Sequence, residues 1–330
     1  MNTYIVFDLE WNQSAGGRET AIKELPFEII EIGAVKLNEN REVIDTFRRL
    51  IRPAVYKTLH FKVLEVVNIG QEELRKDGIS FRKAGREFVN WCFDPDEEGN
   101  YRENPTFCTW GEADLPQLQR NLDFYRIKAG FPYPLLYYDV QKMYSLETTG
   151  QKKTPMPLDK VVELMNITQD EEFHRALSDA RYTAEVFAKL DLEKVGAYYS
   201  LDTHRIPGTR EEEIYLEFPD YSKYVSAAFD QKEDMLADKT VTDMVCLKCR
   251  RMLKKRVRWF SANQKQYHCI AYCPEHGFVK GKIRVKHTSD ERVYAVKTIK
   301  LVGEDVARSY AIRREEIAKL KASKASRKRS

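Results

Sequence analysis

The chain has 330 residues, enough for two domains or one large domain with an appendage. With 42% apolar and 32% charged residues it can bury a sizeable core, which excludes a largely disordered or collagen-like chain. The net charge of +4 conceals an uneven spread: Cys246 to Ser330 carry 24 Lys and Arg against 7 Asp and Glu, and the first 245 residues carry 31 against 44.

The elements follow in chain order. Thr3–Leu9 is an apolar run short enough for a buried strand, and Glu28–Leu37 and Val43–Ile51 read as a hairpin around Asn38-Glu39-Asn40. Phe81–Phe93 has helical spacing, with Phe81, Ala84, Phe88 and Trp91 on one side. A strand at Pro105–Trp110, a helix at Ala113–Ala129 closed by Gly130, and a strand at Leu135–Val140 come next. Leu158–Met165 and His174–Leu190 read as helices. Three strands, then strands alternating with helices, predict an α/β body of mixed sheet flanked by helices over residues 1–195. Residues 196–244 are punctuated by Pro207-Gly208 and Pro219-Asp220 yet keep several aromatics, so a packed strap with a helix at Tyr221–Leu236 is expected. Residues 245–330 form a small cysteine-bearing β module, and Lys324–Ser330 should be a frayed basic tail. No apolar run approaches the roughly 18 residues of a membrane helix. The start at Met1 has no basic segment, so no membrane contact and a cytoplasmic location are expected.

Asp8 and Glu10 alternate on the first strand, so both carboxylates leave the same face. Two acids on one face of a buried strand repel each other unless a cation neutralises them, and hard oxygen donors suit Mg²⁺ or Mn²⁺. Two acids at a solvent-facing strand end would read identically. Asp114 follows a strand at a helix start, where it can serve a ligand site or simply cap the helix. His174 and Asp179 stand five residues apart, about 140° around a helix. They share a site only if His174 precedes the helix.

In this order the fragments resemble the three motifs of the DnaQ-like, DEDDh 3′–5′ exonuclease family: Phe7-Asp8-Leu9-Glu10, the segment around Asp114, and His174-x4-Asp179. The resemblance spans roughly residues 1–195, including the Glu31-Ile-Gly-Ala-Val strand, and implies an RNase H-like fold. The sister class would have Tyr at the position held here by Arg175. Trp110-Gly111 before Asp114 looks more like the Eri-type RNA exonucleases and the KapD-like proteins than like proofreading subunits. The resemblance implies two metal ions held by Asp8, Glu10, Asp114 and Asp179, with His174 as the base that takes a proton from water. It also implies single-stranded RNA or DNA 3′ ends as substrates, RNA favoured. A DNA repair or proofreading exonuclease and a nucleic-acid-binding regulator of the KapD-like kind are the alternatives. Trp11 either joins the core or stacks on a terminal base. The apolar residues of Phe61–Ile69, which resembles the family segment beside the substrate groove, belong to the core, and Cys92 and Cys108 read as small buried hydrophobes.

Cys246-Leu-Lys-Cys249 and Cys273-Pro-Glu-His276-Gly277 look like the two turns of a zinc ribbon, with strands at Lys255–Phe260 and Gln266–Ala271 between them. One Zn²⁺ on Cys246, Cys249, Cys273 and His276 is expected, with Cys269 as an alternative ligand. Arg250, Arg251, Lys254, Lys255, Arg256 and Arg258, interleaved with Trp259, Phe260 and Tyr267, predict phosphate contacts, and Lys282 and Arg284 extend the charge along an alternating strand. The basic end would then anchor the nucleic acid that the acidic body cuts.

Overall fold

A computed structural model describes residues 3–150 and 155–327. The chain divides into two compact units, Met1–His204 and Arg205–Ser330.

In the first unit, strand β1 (Tyr4–Gln13) pairs antiparallel with β2 (Phe27–Leu37), which pairs antiparallel with β3 (Val43–Leu50). On its other side β1 runs parallel to β4 (Thr106–Thr109), and β4 runs parallel to β5 (Leu136–Asp139). A short β6 (Ser200–Leu201) closes the order β3-β2-β1-β4-β5-β6. This is the expected RNase H-like mixed sheet. Helices Phe81–Phe93 and Asp114–Phe124 pack on one face through Phe81, Ala84, Phe88, Leu115 and Leu118, against Ile5, Phe7 and Leu9 of β1. Helices Val140–Thr149, Leu158–Leu164 and Ala176–Lys189 cover the other face, around Val6, Val35 and Cys108. Both faces are buried, which is why β2 reads as a nearly continuous apolar run.

Two expectations need correction here, and one helix was not foreseen. The helix expected over Ala113–Ala129 stops at Phe124, because Arg126 turns left-handed (φ 56°). The Arg126 and Ile127 N–H groups then bond to the Asp123 and Leu122 carbonyls, a Schellman ending without glycine. The helix Val140–Thr149 follows β5 directly; Asp139 caps it by accepting the Lys142 N–H at 3.0 Å. Residues 196–244 are not one strap: β6 completes the first sheet, and Tyr221–Val225, expected as helix, is a strand of the second.

In the second unit, β7 (Ile214–Glu217) and β8 (Tyr221–Val225) form a hairpin across Pro219-Asp220. With β9 (Lys254–Phe260), β10 (Gln266–Cys273), β11 (Gly277–His287) and β12 (Val293–Leu301) they make an antiparallel sheet in the order β7-β8-β12-β11-β10-β9. A helix, Glu304–Arg327, lays Ala307 and Tyr310 against Val257 and Ile270. It runs through much of the stretch expected to fray, and 328–330 lie outside the described residues. Among the described residues no helix is long and apolar enough to cross a membrane.

Candidate active site and metal centres

The central strand β1 lies where the sheet changes from antiparallel to parallel pairing, a place where open sheets gather ligand groups. Asp8 and Glu10 leave β1 on one face. On β2 the residue facing Asp8 is Gly33, and a β-carbon there would lie 2.0 Å from the Leu177 nitrogen. Glycine therefore lets the start of the helix Ala176–Lys189 settle directly on the strands. That approach delivers Asp179, in the first turn, to Asp8 and Glu10: their ligand atoms all lie within 4.8 Å of one another. Asp114, at the start of the helix after β4, is buried beside them, its carboxylate bonded to the Leu9 backbone N–H.

These acids repel. Burial raises Asp8 well above the usual carboxylate range, and the charges of Asp114, Glu10 and Asp179 raise it further. Glu10 is pushed up to about 8 by burial and then by Asp179. Burial likewise lifts Asp114 to about 7 and Asp179 to about 6. The Oδ1 atom of Asp179 is buried with no hydrogen-bond partner. Clustered hard oxygen donors, mutual repulsion and an orphaned carboxylate oxygen together fit divalent cations such as Mg²⁺ or Mn²⁺.

His174 sits two residues ahead of the helix, exposed, with φ 64°. Its backbone N–H donates to Asp179 Oδ2 at 3.2 Å, so the turn that places the imidazole is tied to the neighbouring acid. Arg175 donates to the Asn68 carbonyl and to Glu73 Oε1, both at 3.0 Å. Sequence reasoning missed Glu31 as a functional residue. Facing Glu10 on β2 and fully buried, it accepts the Ala176 N–H at 3.0 Å and the Arg48 Nε–H at 2.6 Å. It caps the helix that carries Asp179. An acid within a mostly apolar strand was the available signal, one that Glu28 shares. Trp11 follows a bulge in β1 and is half-buried against the core, 6.0 Å from the Phe27 ring. In the Phe61–Val66 helix Val63 is buried, whereas Phe61, Leu64 and Val66 are exposed, so only part of that segment is core.

In the second unit Cys246, Cys249, Cys273 and His276 converge, with ligand atoms within 4.8 Å of one another. Two tight turns make this possible. Arg250, left-handed at φ 58°, donates its N–H to the Cys246 carbonyl, and Gly277, at φ 79°, pairs with Cys273 across the other turn. Burial raises the Cys273 thiol, yet hydrogen bonds from the His276 side chain and from nearby backbone N–H groups bring it down to about 6. A thiolate-forming set of three sulfurs and one imidazole fits Zn²⁺. Cys269 stands apart: four residues along extended β10 is about 13 Å. It is buried in the apolar core instead, its thiol raised to about 12 by burial.

The basic residues are dispersed over the second unit. Arg250 and Arg251 occupy the first cysteine turn, where they pair with Glu217 and Glu275. Lys254, Lys255, Arg256 and Arg258 lie on the edge strand β9; Lys255 is 3.8 Å from Asp243, and Arg256 covers the Tyr272 ring. Lys282 and Arg284 lie on β11, on the face that bears the C-terminal helix.

Comparison with known proteins adds the family. The RNase T exonuclease family model matches residues 5–187, more than half of the chain. No curated protein matches. Solved structures similar to this chain include the nuclease domain of 3′hExo, a DEDDh family member, bound to rAMP: 20% identity, 61% of this chain and 96% of that one, TM-score 0.48. Cell-death related nuclease 4 shows 17% identity over 61% and 67%, with TM-score 0.48. The zinc-bound ExoI–ssDNA complex of E. coli shows 15% over 57% and 40%, with TM-score 0.45. With the motif acids gathered on β1 and the family model spanning strands β1 to β5 and most of the helices packed on them, the chain belongs to the RNase T exonuclease family, as a 3′–5′ exonuclease of the DEDDh class.

Proposed function

We propose that this enzyme removes nucleotides from single-stranded 3′ ends, RNA in preference to DNA, and that its second unit anchors the strand being cut. The observation that carries the reading is the convergence of Asp8, Glu10 and Asp179, with Asp114 buried alongside and His174 on an exposed turn tied to Asp179. Asp8, Glu10, Asp114 and Asp179 would hold two Mg²⁺ or Mn²⁺ ions. When bound, the ions lower the pKa of a water and neutralise charge on the scissile phosphate and the leaving oxygen. The chain's own groups do the rest. His174, outside the ligand set, takes the water's proton on an imidazole nitrogen. Glu31 keeps the helix start in place, and with it the spacing of Asp179 from the β1 acids.

Trp110-Gly111 ahead of Asp114 supports placing the chain near the Eri-type and KapD-like branch, and with it the RNA preference. Residues 245–330 would hold one Zn²⁺ on Cys246, Cys249, Cys273 and His276. Their surplus of Lys and Arg supports a role in binding phosphate. Trp11, half-buried against the core, would stack on a terminal base with the part of its ring that remains exposed.

The test incubates the full chain with 5′-labelled single- and double-stranded RNA and DNA in Mg²⁺ or Mn²⁺, with Asp8→Ala as control. A descending ladder on single-stranded RNA that is absent from Asp8→Ala is expected. Cleavage surviving in Asp8→Ala contradicts the mechanism, and equal or faster cleavage of DNA contradicts the substrate preference.

A further inference from the structure

The second unit contains a cavity of about 500 Å³, within the range of pockets that take small planar ligands. Its floor is a row across three neighbouring strands. Tyr215 on β7 faces Tyr224 on β8, which faces Lys297 on β12. The Lys297 ammonium lies 5.1 Å from the Tyr224 ring centroid and donates to the Thr240 carbonyl at 2.6 Å and the Asp243 carbonyl at 3.1 Å. Only 7% of Lys297 is exposed, so this cation is fixed in place rather than solvated.

The first cysteine turn supplies the opposite wall. Val245 and Met252 bridge its base, and the Arg250 guanidinium covers the Tyr215 ring at 5.7 Å while donating to the Tyr215 hydroxyl at 3.1 Å. Tyr215 and Met252 stay 48% and 58% exposed at the mouth, an unusual place for an aromatic ring and a thioether. Three cations, Lys239, Arg250 and Lys297, line the cavity with one carboxylate, Asp243, and Arg250 also pairs with Glu217 outside the lining. An apolar, ring-lined hollow rimmed by cations and holding one carboxylate matches a base with its flanking phosphates. A phosphate alone has no use for the rings, and an apolar ligand alone has no use for the cations.

We propose that this cavity takes up one unstacked base of a single-stranded nucleic acid, which stacks on Tyr215 and Met252 while Arg250 and Lys239 meet the flanking phosphates. The Asp243 carboxylate accepts from the N–H edge of the base. The proposal rests on the anchoring role given to the second unit. It adds that this role depends on the metal-binding turn, because Val245, Arg250 and Met252 belong to the segment that Cys246 and Cys249 hold.

The experiment uses the full chain without added Mg²⁺ or Mn²⁺, so that the probe survives, and a single-stranded RNA 12-mer carrying 4-thiouridine, with a 4-thiothymidine DNA as the parallel arm. After irradiation, crosslinks to Tyr215 or to the peptide holding Arg250 and Met252 are expected. Tyr215→Ala should weaken binding on the order of tenfold without changing its salt dependence, since the lost contact is stacking. Arg250→Ala should lower the salt slope by about one. Because crosslinking is read on the unaltered protein, the proposal stays testable even if Tyr215→Ala fails to fold. Crosslinks elsewhere in the second unit, or binding unchanged in a folded Tyr215→Ala, overturn the cavity and leave the anchoring role standing. Crosslinks confined to residues before Arg205 overturn both.

Discussion

Asp114 offers the sharpest test of why the acidic site requires cations. Burial raises its carboxyl from an ordinary 3.8 to about 7, so the folded protein resists ionising it. The unfolded chain gives up this proton near pH 4 and the folded chain only near pH 7. Without divalent cations, stability is therefore lost as pH rises through that window. Three pK units correspond to about 4 kcal/mol, of which roughly two units, about 3 kcal/mol, fall between pH 5 and pH 7. Asp114→Asn keeps the shape and removes the charge. In protein without added Mg²⁺ or Mn²⁺, its first unit should become more stable than the parent's by a margin that grows about 2–3 kcal/mol from pH 5 to pH 8. Saturating Mn²⁺ should erase or reverse that margin, because cations stabilise only the ionised parent. The assay is urea unfolding at each pH, read by hydrogen exchange on peptides of the first unit so that the two units are not averaged. A margin that does not change with pH would refute the claim that an uncompensated buried charge sits at Asp114.

His174→Ala should lower kcat by about 10²–10⁴ and leave Mn²⁺ affinity within a few-fold of the parent; loss of Mn²⁺ binding measured by calorimetry would make His174 a ligand rather than a base. Glu31→Gln, which weakens the buried cap on Ala176, should cost the first unit about 1.5–3 kcal/mol in denaturant unfolding and lower activity with it. Parent-like values in both measurements would remove Glu31 from the positioning role. Cys273→Ser should lose the equivalent of zinc counted by metal analysis while Cys269→Ser retains it, and the opposite pattern would move the site to Cys269.

The alternation of a strand was enough to put Asp8 and Glu10 on one face, and the helical spacing of Phe81–Phe93 corresponds to a helix over the same residues in the structure. The close pairing of Cys246 with Cys249, and of Cys273 with His276, likewise needed no knowledge of distant chain, because each pair is formed within one tight turn. Nonlocal relations were invisible. Glu28 and Glu31 look alike in the sequence, yet the first accepts the N–H groups of Ala54, Val55 and Tyr56 and the second caps a helix 145 residues away. The early stop at Phe124 depends on Arg126 adopting a left-handed turn that its residue type does not announce.

What the sequence alone determined is which acids, sulfurs and imidazoles share a strand face or a turn, because motif spacing within a strand or turn is a local property. What only the tertiary structure decided is their company. Gly33 gives up a side chain so that Asp179 can reach β1, Cys269 is held some 13 Å along its strand from Cys273, and a row of two tyrosines and a lysine becomes one side of a cavity. Those outcomes depend on which strands and helices lie side by side, and that is settled by burial of the two sheets' faces rather than by any short stretch of residues.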